Sequence, residues 1–525
     1  MEEYHFTLQG NKLEAFYQLG LSERKRKSSS QIIKKMVLKN KYLSSISEKI
    51  LGNTLPFPNF LKDEIHQYIE GKGISSDEFK QNFYLADIIS SINSISPYSV
   101  PSIGCSSALV NDGSLIKHLR ILDYPLGPYA DEYSSELLFN LDGYNKVFTL
   151  TFTDLPFPCL TSINEQGISL ALHQRVSSKI NIKGSSIFEL TSRISLEAKN
   201  LDDALYFAKD FNSINNWAIV LVSKEENSGL EIEMVPSGKL IHKKFDLSKK
   251  TFAYICNQSL EKKVEKERSF LDSWNFYNSK RCEWVDTLSF DEKVENFFKL
   301  PKVRTKTSFS HYTITPASIQ SVEIDLTQSL LKKLSTSSVK YDDGQKKKFK
   351  LDWSQNAFQN TKEQIKKRKN TPIENFYEAI SKCQYYWDQG DKNKSFHYAQ
   401  LCLTESPTIE LSSIATIFYS YFIFSEISNK KILSGQYEKL IAVYETTPDF
   451  LKSDCLLLIN YYSYYLKYPS YEIDKLEKSH FEILKKNKKI PKFIFKKIFK
   501  YLHISRFELF SFGKTNYLID AVGSP

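Results

Sequence analysis

The chain has 525 residues, of which 41% are hydrophobic and 14% aromatic, so it is not disordered and is too long for one ordinary core. The formal net charge is +10, but the lysine runs lack the interleaved Arg and Gly of a nucleic-acid module, so no nucleic-acid partner is expected. The seven cysteines show no metal-ligand spacing, and neither a leader nor a membrane span stands out, which predicts a cytoplasmic protein without metal, cofactor or transmembrane segment.

The first hundred residues are predicted to be mainly helical. A short strand and a helix are expected within Phe6–Gly20, and a second helix within Pro56–Glu70, which the Gly71–Asp77 stretch ends. Ser75 or Ser76 could then cap a further helix over Asp77–Asn93. The alternative interpretation of this segment is an ordinary helical subdomain that is never cleaved.

The stretch that begins at Gly104-Cys105-Ser-Ser predicts a β-hairpin, because two apolar runs flank an Asn-Asp-Gly turn. Arg120 and Asp123 follow on the return strand, so a cation and a carboxylate can both approach Cys105. A nearby cation favours the thiolate, and a carboxylate can hold an ammonium group. The pattern alone leaves a second interpretation open, since a cysteine in an apolar strand is often a core residue.

Strands are expected after the hairpin. Val147–Thr153 alternates, and the Asn164-Glu-Gln-Gly167 turn leads into an apolar strand that ends at His173-Gln174-Arg175. A helical stretch covers Ser185–Ala208. Three further strands follow, at Trp217–Val222, Leu230–Val235 and Thr251–Asn257, and His311–Asp325 is predicted to form a strand pair.

The order of these motifs resembles one family of N-terminal-nucleophile hydrolases. Gly-Cys-Ser-Ser, a hairpin and Arg-x-x-Asp-Tyr-Pro look like the start of the mature chain in the acyl-coenzyme A:6-aminopenicillanate acyltransferases, which are related to choloylglycine hydrolases, penicillin V acylases and acid ceramidases. The Asn-Glu-x-Gly turn and the strand ending at Asn257 match in the same order. The resemblance covers about Phe6 to Leu351.

The resemblance implies a four-layer αββα fold, a pro-segment over 1–104, autocatalytic cleavage between Gly104 and Cys105, and a catalytic domain over 105–351. It makes Cys105 the nucleophile, Arg120 its cationic neighbour, Asp123 the acceptor of the α-amine hydrogen bond and Asn257 a donor to the oxyanion. Arg281 matches an Arg that opens a helix in relatives. His173 and Gln174 stand where relatives have a second Asn that donates to the oxyanion, so the sequence leaves open which of the two, or which backbone N–H, is the second donor. Ile121 is a separate departure, since relatives commonly have an Asn at that position of the Arg-Asn-x-Asp motif.

The last third, 352–525, is predicted to be an all-α helical-repeat domain. Glu378–Pro407 has the spacing of one tetratricopeptide repeat, and aromatic-rich helices follow it, although a simple helical bundle explains them nearly as well. The basic amphipathic segment at 493–502 is more typical of a packed terminal helix than of a membrane-surface helix. A protein partner could bind these C-terminal helices.

These features together predict an α+β N-terminal-nucleophile enzyme followed by helical repeats. The expected activity is that of an autoprocessed cysteine amidohydrolase or acyltransferase that acts on a small-molecule N-acyl substrate through a Cys105 thioester. One alternative is an N-acyltransferase that uses a thioester donor. A second, from another class, is an inactive interaction protein whose helical repeats bind a partner.

Overall fold

The computed structural model describes residues 4–26, 55–95, 105–123, 133–175, 180–236, 238–260, 281–283, 285–298, 318–334, 346–355, 357–363, 391–426 and 429–447, with single positions between 372 and 386 and between 455 and 468. Within these ranges the protein is α+β, as predicted, with two β-sheets and flanking helices. No helix in them is long and apolar enough to cross a bilayer.

The described segment before Cys105 contains one strand and four helices: β1 (Tyr4–Gly10), α1 (Lys12–Glu23), α2 (Lys62–Lys72), α3 (Ser76–Phe83) and α4 (Leu85–Ile95). The Ser75 hydroxyl accepts a hydrogen bond from Glu78 N and caps α3, which confirms one of the two predicted caps. The single helix predicted over 77–93 was wrong, because the chain leaves the helical conformation at Tyr84.

Helices α1 and α2 approach each other closely at two glycines. A Cβ atom on Gly20 would lie 2.3 Å from Tyr68 O, and one on Gly71 would lie 2.2 Å from Tyr17 O. Any larger side chain would therefore push the two backbones apart. Because β1 also pairs in parallel with β4 (Ser134–Leu141), the segment before Cys105 contributes a strand to the first sheet.

Most neighbouring strands in each sheet are consecutive in the chain, and all pairs are antiparallel except β1–β4. The other non-consecutive pairs are β11 with β2 and β3 with β12. The first sheet has the order β1-β4-β5-β6-β7-β8-β9-β10, with β4 (Ser134–Leu141), β5 (Val147–Phe152), β6 (Thr161–Asn164), β7 (Ile168–Gln174), β8 (Trp217–Ser223), β9 (Ser228–Met234) and β10 (Leu240–Asp246). The second has the order β11-β2-β3-β12-β13-β14-β15, with β2 (Cys105–Asn111), β3 (Ile116–Asp123), β11 (Thr251–Ile255), β12 (Ser318–Asp325), β13 (Leu330–Leu334), β14 (Lys346–Asp352) and β15 (Ala357–Glu363).

The two sheets pack face to face, and side chains that alternate along each strand form three cores. Leu109 of β2 and Val220 of β8 meet in the core between the sheets. Ile219, on the opposite face of β8, packs in the core that holds the helices α1 to α4, α5 (Ile187–Glu197) and α6 (Leu201–Lys209). Val110 packs in the outer core of the second sheet, where Phe290 and Val294 of α7 (Phe290–Asn296) cover it.

The predicted elements of this region differ from the structure in several places, and the strands β4, β13 and β14 were not predicted at all. The strand β10 was missed, because its residues are exposed or partly exposed and its sequence, Leu240-Ile-His-Lys-Lys, is not clearly alternating. The helical stretch over 185–208 is two helices, α5 and α6. The second sheet continues to Glu363 through β15, beyond the boundary expected at 351. Of the strand pair predicted over His311–Asp325, residues 311–317 lie outside the described residues.

The C-terminal region contains α8 (Lys392–Thr404), α9 (Ile409–Glu426) and α10 (Lys430–Tyr444) in its described part. Their buried faces form a core that includes Ala399, Cys402 and Leu440. This arrangement is helical, as expected, but the tetratricopeptide assignment stays a prediction. The amphipathic segment at 493–502 lies outside the described residues.

Candidate active site

The β2–β3 hairpin positions Cys105 at the first residue of β2. The Asn-Asp-Gly turn forms as predicted, and Asp112 Oδ1 accepts hydrogen bonds from the backbone nitrogens of Ser114 and Leu115. Cys105 pairs with Leu122 in the β-ladder, and its side chain is fully buried. The other half of the predicted cleavage bond, Gly104, lies outside the described residues.

Two polar groups from different sheets contact Cys105. Its backbone nitrogen donates to Asn257 Oδ1 over 2.9 Å, and Asn257 lies two residues after the end of β11. Its Sγ donates to the carbonyl oxygen of Leu172, in β7 of the other sheet, over 3.5 Å. Arg120 Nη2 donates to the same carbonyl oxygen. The buried guanidinium of Arg120 and the Cys105 sulfur therefore meet at one backbone oxygen.

Three contacts orient the side-chain amide of Asn257. Its Oδ1 accepts from Cys105 N and from Arg281 Nη2, the latter over 3.2 Å. Its Nδ2 donates to Gln174 O over 2.8 Å. Only one orientation of the amide satisfies both donors and the acceptor. Asn257 thus joins the start of β2 to the end of β7, its oxygen bonding Cys105 N and its nitrogen bonding Gln174 O.

Arg281 connects several of the expected site residues on the outer face of the second sheet. It is fully buried, and its Nη1 donates to Ser106 Oγ over 2.9 Å and lies 4.0 Å from Asp123 Oδ2. Ser318 Oγ donates to Asp123 Oδ1. Ser106 Oγ also lies 2.9 Å from the hydroxyl of Tyr254. Asp123 is therefore held by a cation and a hydroxyl.

His173 belongs to a hydrogen-bonded chain between the sheets. Its Nε2 lies 2.8 Å from Ser107 Oγ, which is 3.2 Å from Nε2 of His118. His118 Nδ1 in turn contacts Ser169 Oγ over 3.0 Å. Burial, with Arg120 nearby, lowers the pKa of His118 to about 3 and that of His173 well below its ordinary value. Both imidazoles are therefore neutral near pH 7.

The structure brings together most of the residues expected from the sequence. Cys105, Arg120, Asn257, Gln174 and Arg281 form one contact network, with Gln174 taking part through its backbone oxygen. His173 lies on the neighbouring Ser107 chain. Asp123 joins through Arg281, and its expected hydrogen bond with the α-amine of Cys105 stays a prediction.

Sequence reasoning missed four groups of this network: Ser106, Tyr254, Ser318 and the carbonyl of Leu172. Ser106 stands beside Cys105, but no local pattern indicates that its hydroxyl meets Arg281, 175 positions further on. A backbone carbonyl carries no sequence signal at all. Alternation in β2, with Cys105 on one face and Ser106 on the other, could have indicated that the site uses both faces of the strand.

Comparison with known proteins gives limited information. No protein-family model matches the chain, and no curated protein matches it. Among solved structures, the N-acylethanolamine-hydrolyzing acid amidase ortholog of Caenorhabditis elegans is similar at 16% sequence identity with a TM-score of 0.30. The match covers 42% of this chain and 93% of that chain.

Proposed function

We propose that the protein is an N-terminal-nucleophile hydrolase that cleaves the amide bond of a small N-acyl compound through a thioester on Cys105. The observation that carries the proposal is the contact of 2.9 Å between the backbone nitrogen of Cys105 and Asn257 Oδ1. A nucleophile whose own nitrogen acts as the base needs an acceptor that orients that nitrogen, and Asn257 is such an acceptor.

Activation begins with cleavage of the chain before Cys105. The Cys105 sulfur attacks the carbonyl carbon of Gly104, its proton passes to the leaving backbone nitrogen, and the C–N bond breaks. The segment before Cys105 is then held as a thioester, which water hydrolyses to release a carboxylate and the free thiol. After these steps the nitrogen of Cys105, which is bonded to Asn257 Oδ1, is a free α-amine.

Catalysis on the substrate repeats the same chemistry. The α-amine accepts the thiol proton while sulfur attacks the substrate carbonyl, and it then delivers that proton to the leaving amine nitrogen. The Arg120 guanidinium beside the sulfur stabilises negative charge that develops there. Water finally attacks the thioester and releases the acyl group as an acid.

Arg120 also offers donors for the oxyanion. Its Nε and Nη1 are buried and have no hydrogen-bond partner within the described residues, whereas Nη2 is bonded to Leu172 O. In the arrangement seen here Asn257 Nδ2 is bonded to Gln174 O, so it would have to exchange partners to serve an oxyanion. These contacts support Arg120 as the group that donates hydrogen bonds to the oxyanion formed when the sulfur attacks the carbonyl carbon.

The proposal extends to the rest of the chain in two ways. Transfer of the acyl group to an amine instead of water would use the same thioester, and a competing amine added to the assay separates the two reactions. The C-terminal helices, with a core of their own, would bind a protein partner or support the catalytic part.

The test is the intact mass of the purified protein under denaturing conditions. We expect two fragments, the larger beginning at Cys105, and hydrolysis of N-acyl amides by the processed protein. A single uncut chain that also fails to hydrolyse a panel of N-acyl amides would contradict the proposal and favour the inactive interaction protein.

A further inference from the structure

Two cysteines outside the catalytic proposal lie in direct contact. The sulfurs of Cys256 and Cys282 are 3.1 Å apart, although the residues are 26 positions apart in the chain. Both are thiols in this structure. Cys256 is buried and directly follows β11, whereas Cys282 is partly exposed and also donates to Gln258 Oε1 over 3.6 Å. A small oxidant therefore has a route to the pair.

The pair flanks two residues of the candidate active site. Cys256 directly precedes Asn257, and Cys282 directly follows Arg281. Arg281 Nη2 donates to Asn257 Oδ1. The segment that contains residues 256 and 257 and the segment that contains residues 281 and 282 are therefore joined twice, by this hydrogen bond and by the contact between the two sulfurs. Arg175 Nη1 donates to the carbonyl oxygen of Cys256 and ties the first segment to the end of β7.

The surroundings make Cys256 the more reactive thiol. The hydrogen bond between the two sulfurs lowers the pKa of Cys256 to about 7, because it and the nearby Arg281 and Arg175 outweigh the effect of burial. The same hydrogen bond raises the pKa of Cys282. One sulfur thus has thiolate character near neutral pH while its neighbour keeps its proton, an arrangement that favours stepwise oxidation of the pair.

We propose that Cys256 and Cys282 are a site of oxidative modification, where a peroxide converts the two thiols into an intramolecular disulfide that ties the Asn257 segment to the Arg281 segment. The Cys256 thiolate attacks one peroxide oxygen, the O–O bond breaks, and hydroxide leaves and becomes water. Cys256 is then a sulfenic acid. The Cys282 sulfur loses its proton and attacks Cys256 Sγ, the S–O bond breaks, and a second water leaves. Two thiols are oxidised and one hydrogen peroxide is reduced to two waters.

The disulfide has a structural consequence that can be measured. It closes the chain between 256 and 282 and holds Asn257 against Arg281. A cross-link that closes a loop of this kind removes conformational freedom from the unfolded chain, so we expect the melting temperature to rise by roughly 5 °C on oxidation and to return on reduction.

The experiment treats the full chain with a small excess of hydrogen peroxide, alkylates the remaining thiols and maps the peptides without reduction. We expect a cross-linked peptide that contains Cys256 and Cys282 and whose mass is two hydrogens below that of the two reduced peptides together. Dithiothreitol should restore both thiols. The variant Cys282→Ser should lack the linked peptide and the temperature shift, and it should accumulate sulfenic acid at Cys256 that a dimedone probe traps.

The control is Cys159→Ala, which removes a buried thiol whose pKa is raised to about 12 by burial and which should leave the cross-link unchanged. Full alkylation of Cys256 and Cys282 after peroxide treatment of the folded wild-type protein would overturn the proposal, and so would a cross-link between other cysteines. Both readings come from the wild-type chain, so they stand even if Cys282→Ser fails to fold. Neither depends on whether Cys105 is a nucleophile.

Discussion

Asn257 Oδ1 lies 2.9 Å from the backbone nitrogen of Cys105, across the pairing of β11 with β2. The contact joins residues 152 positions apart and involves the nitrogen of the cysteine, while its sulfur contacts Leu172 O, to which Arg120 also donates. Separate groups therefore hold the proposed base and the proposed nucleophile of the same residue. This division explains how one residue could supply both.

The first prediction concerns the cleavage itself. Replacing Cys105 with Ala removes the sulfur that would attack Gly104, so the purified variant should remain a single chain of full length. Intact mass under denaturing conditions measures this. The variant Cys159→Ala is the matched control and should be processed like the wild type. Cleavage that persists in Cys105→Ala would mean that another protease cuts the chain.

The second prediction concerns Asn257. The change Asn257→Ala leaves Cys105 N and Arg281 Nη2 without their shared acceptor, so we expect kcat/KM for an N-acyl amide to fall about a hundredfold or more. The measurement is steady-state hydrolysis by protein that has already been processed. Asn200→Ala is the control, since Asn200 only caps α6 and its loss should cost about 1 kcal/mol of stability without changing the rate. Equal rates for the two variants would count against a role for Asn257.

The third prediction separates the charge of Arg120 from its geometry. Arg120→Lys keeps the cation but replaces the planar fork of Nε, Nη1 and Nη2 with a single nitrogen, so donors can no longer be presented at the separate positions of Nε and Nη1 while Leu172 O is bonded. We expect kcat to fall about tenfold or more while the protein stays folded. The control is Arg193→Lys, at an exposed pair with Glu197. An unchanged kcat in Arg120→Lys would show that positive charge alone is needed there.

The fourth prediction concerns the contact between the sheets. Glu136 of β4 is buried, and it lies 2.9 Å from Lys333 Nζ and 3.2 Å from Lys347 Nζ of the second sheet. Burial would raise the pKa of Glu136, but these lysines and His5 hold it below its ordinary value. Glu136→Gln should therefore lower the free energy of unfolding by about 3 kcal/mol, measured by urea denaturation. Glu323→Gln breaks the more exposed pair with Lys332 and should cost less than about 1 kcal/mol.

The fifth prediction is a pH dependence at Asp87. Burial raises the pKa of this carboxyl to about 6, although Ser186, Trp217 and Asn215 donate hydrogen bonds to it. Because the folded state holds the proton more tightly than the unfolded chain, the contribution of Asp87 to stability falls as pH rises from about 4 to about 6.

A variant without the titrating group measures that contribution. Asp87→Asn should become more stable relative to wild type by about 1 kcal/mol when the pH rises from 5 to 7. Urea denaturation of both proteins at the two pH values measures the difference. Glu189→Gln, which removes a partly exposed carboxyl on α5, is the comparison variant. A stability difference between Asp87→Asn and wild type that does not change with pH would mean that Asp87 has the same pKa in both states.

The sequence by itself determined the local structure around the candidate nucleophile. The Asn-Asp-Gly turn specified the hairpin, because those residues accept the backbone angles of the turn. Alternation predicted β5, and short strand-like runs predicted β6, β7, β8, β9 and β11. It also indicated Cys105, Arg120 and Asn257, which the structure brings together. The helix break at Tyr84, the strands β4, β10, β13 and β14 and the extension to β15 were missed, since packing decides them more than local pattern does.

Only the tertiary structure decided which atoms meet. Pairing of β11 with β2 places Asn257 at Cys105 N, and packing of the two sheets places Leu172 O at the sulfur. The contacts of Ser106 with Arg281 and of Cys256 with Cys282 likewise join distant segments. The physical reason is that a sequence pattern reports the face and period of one element, whereas a contact between elements depends on register and sheet packing, which many residues determine together.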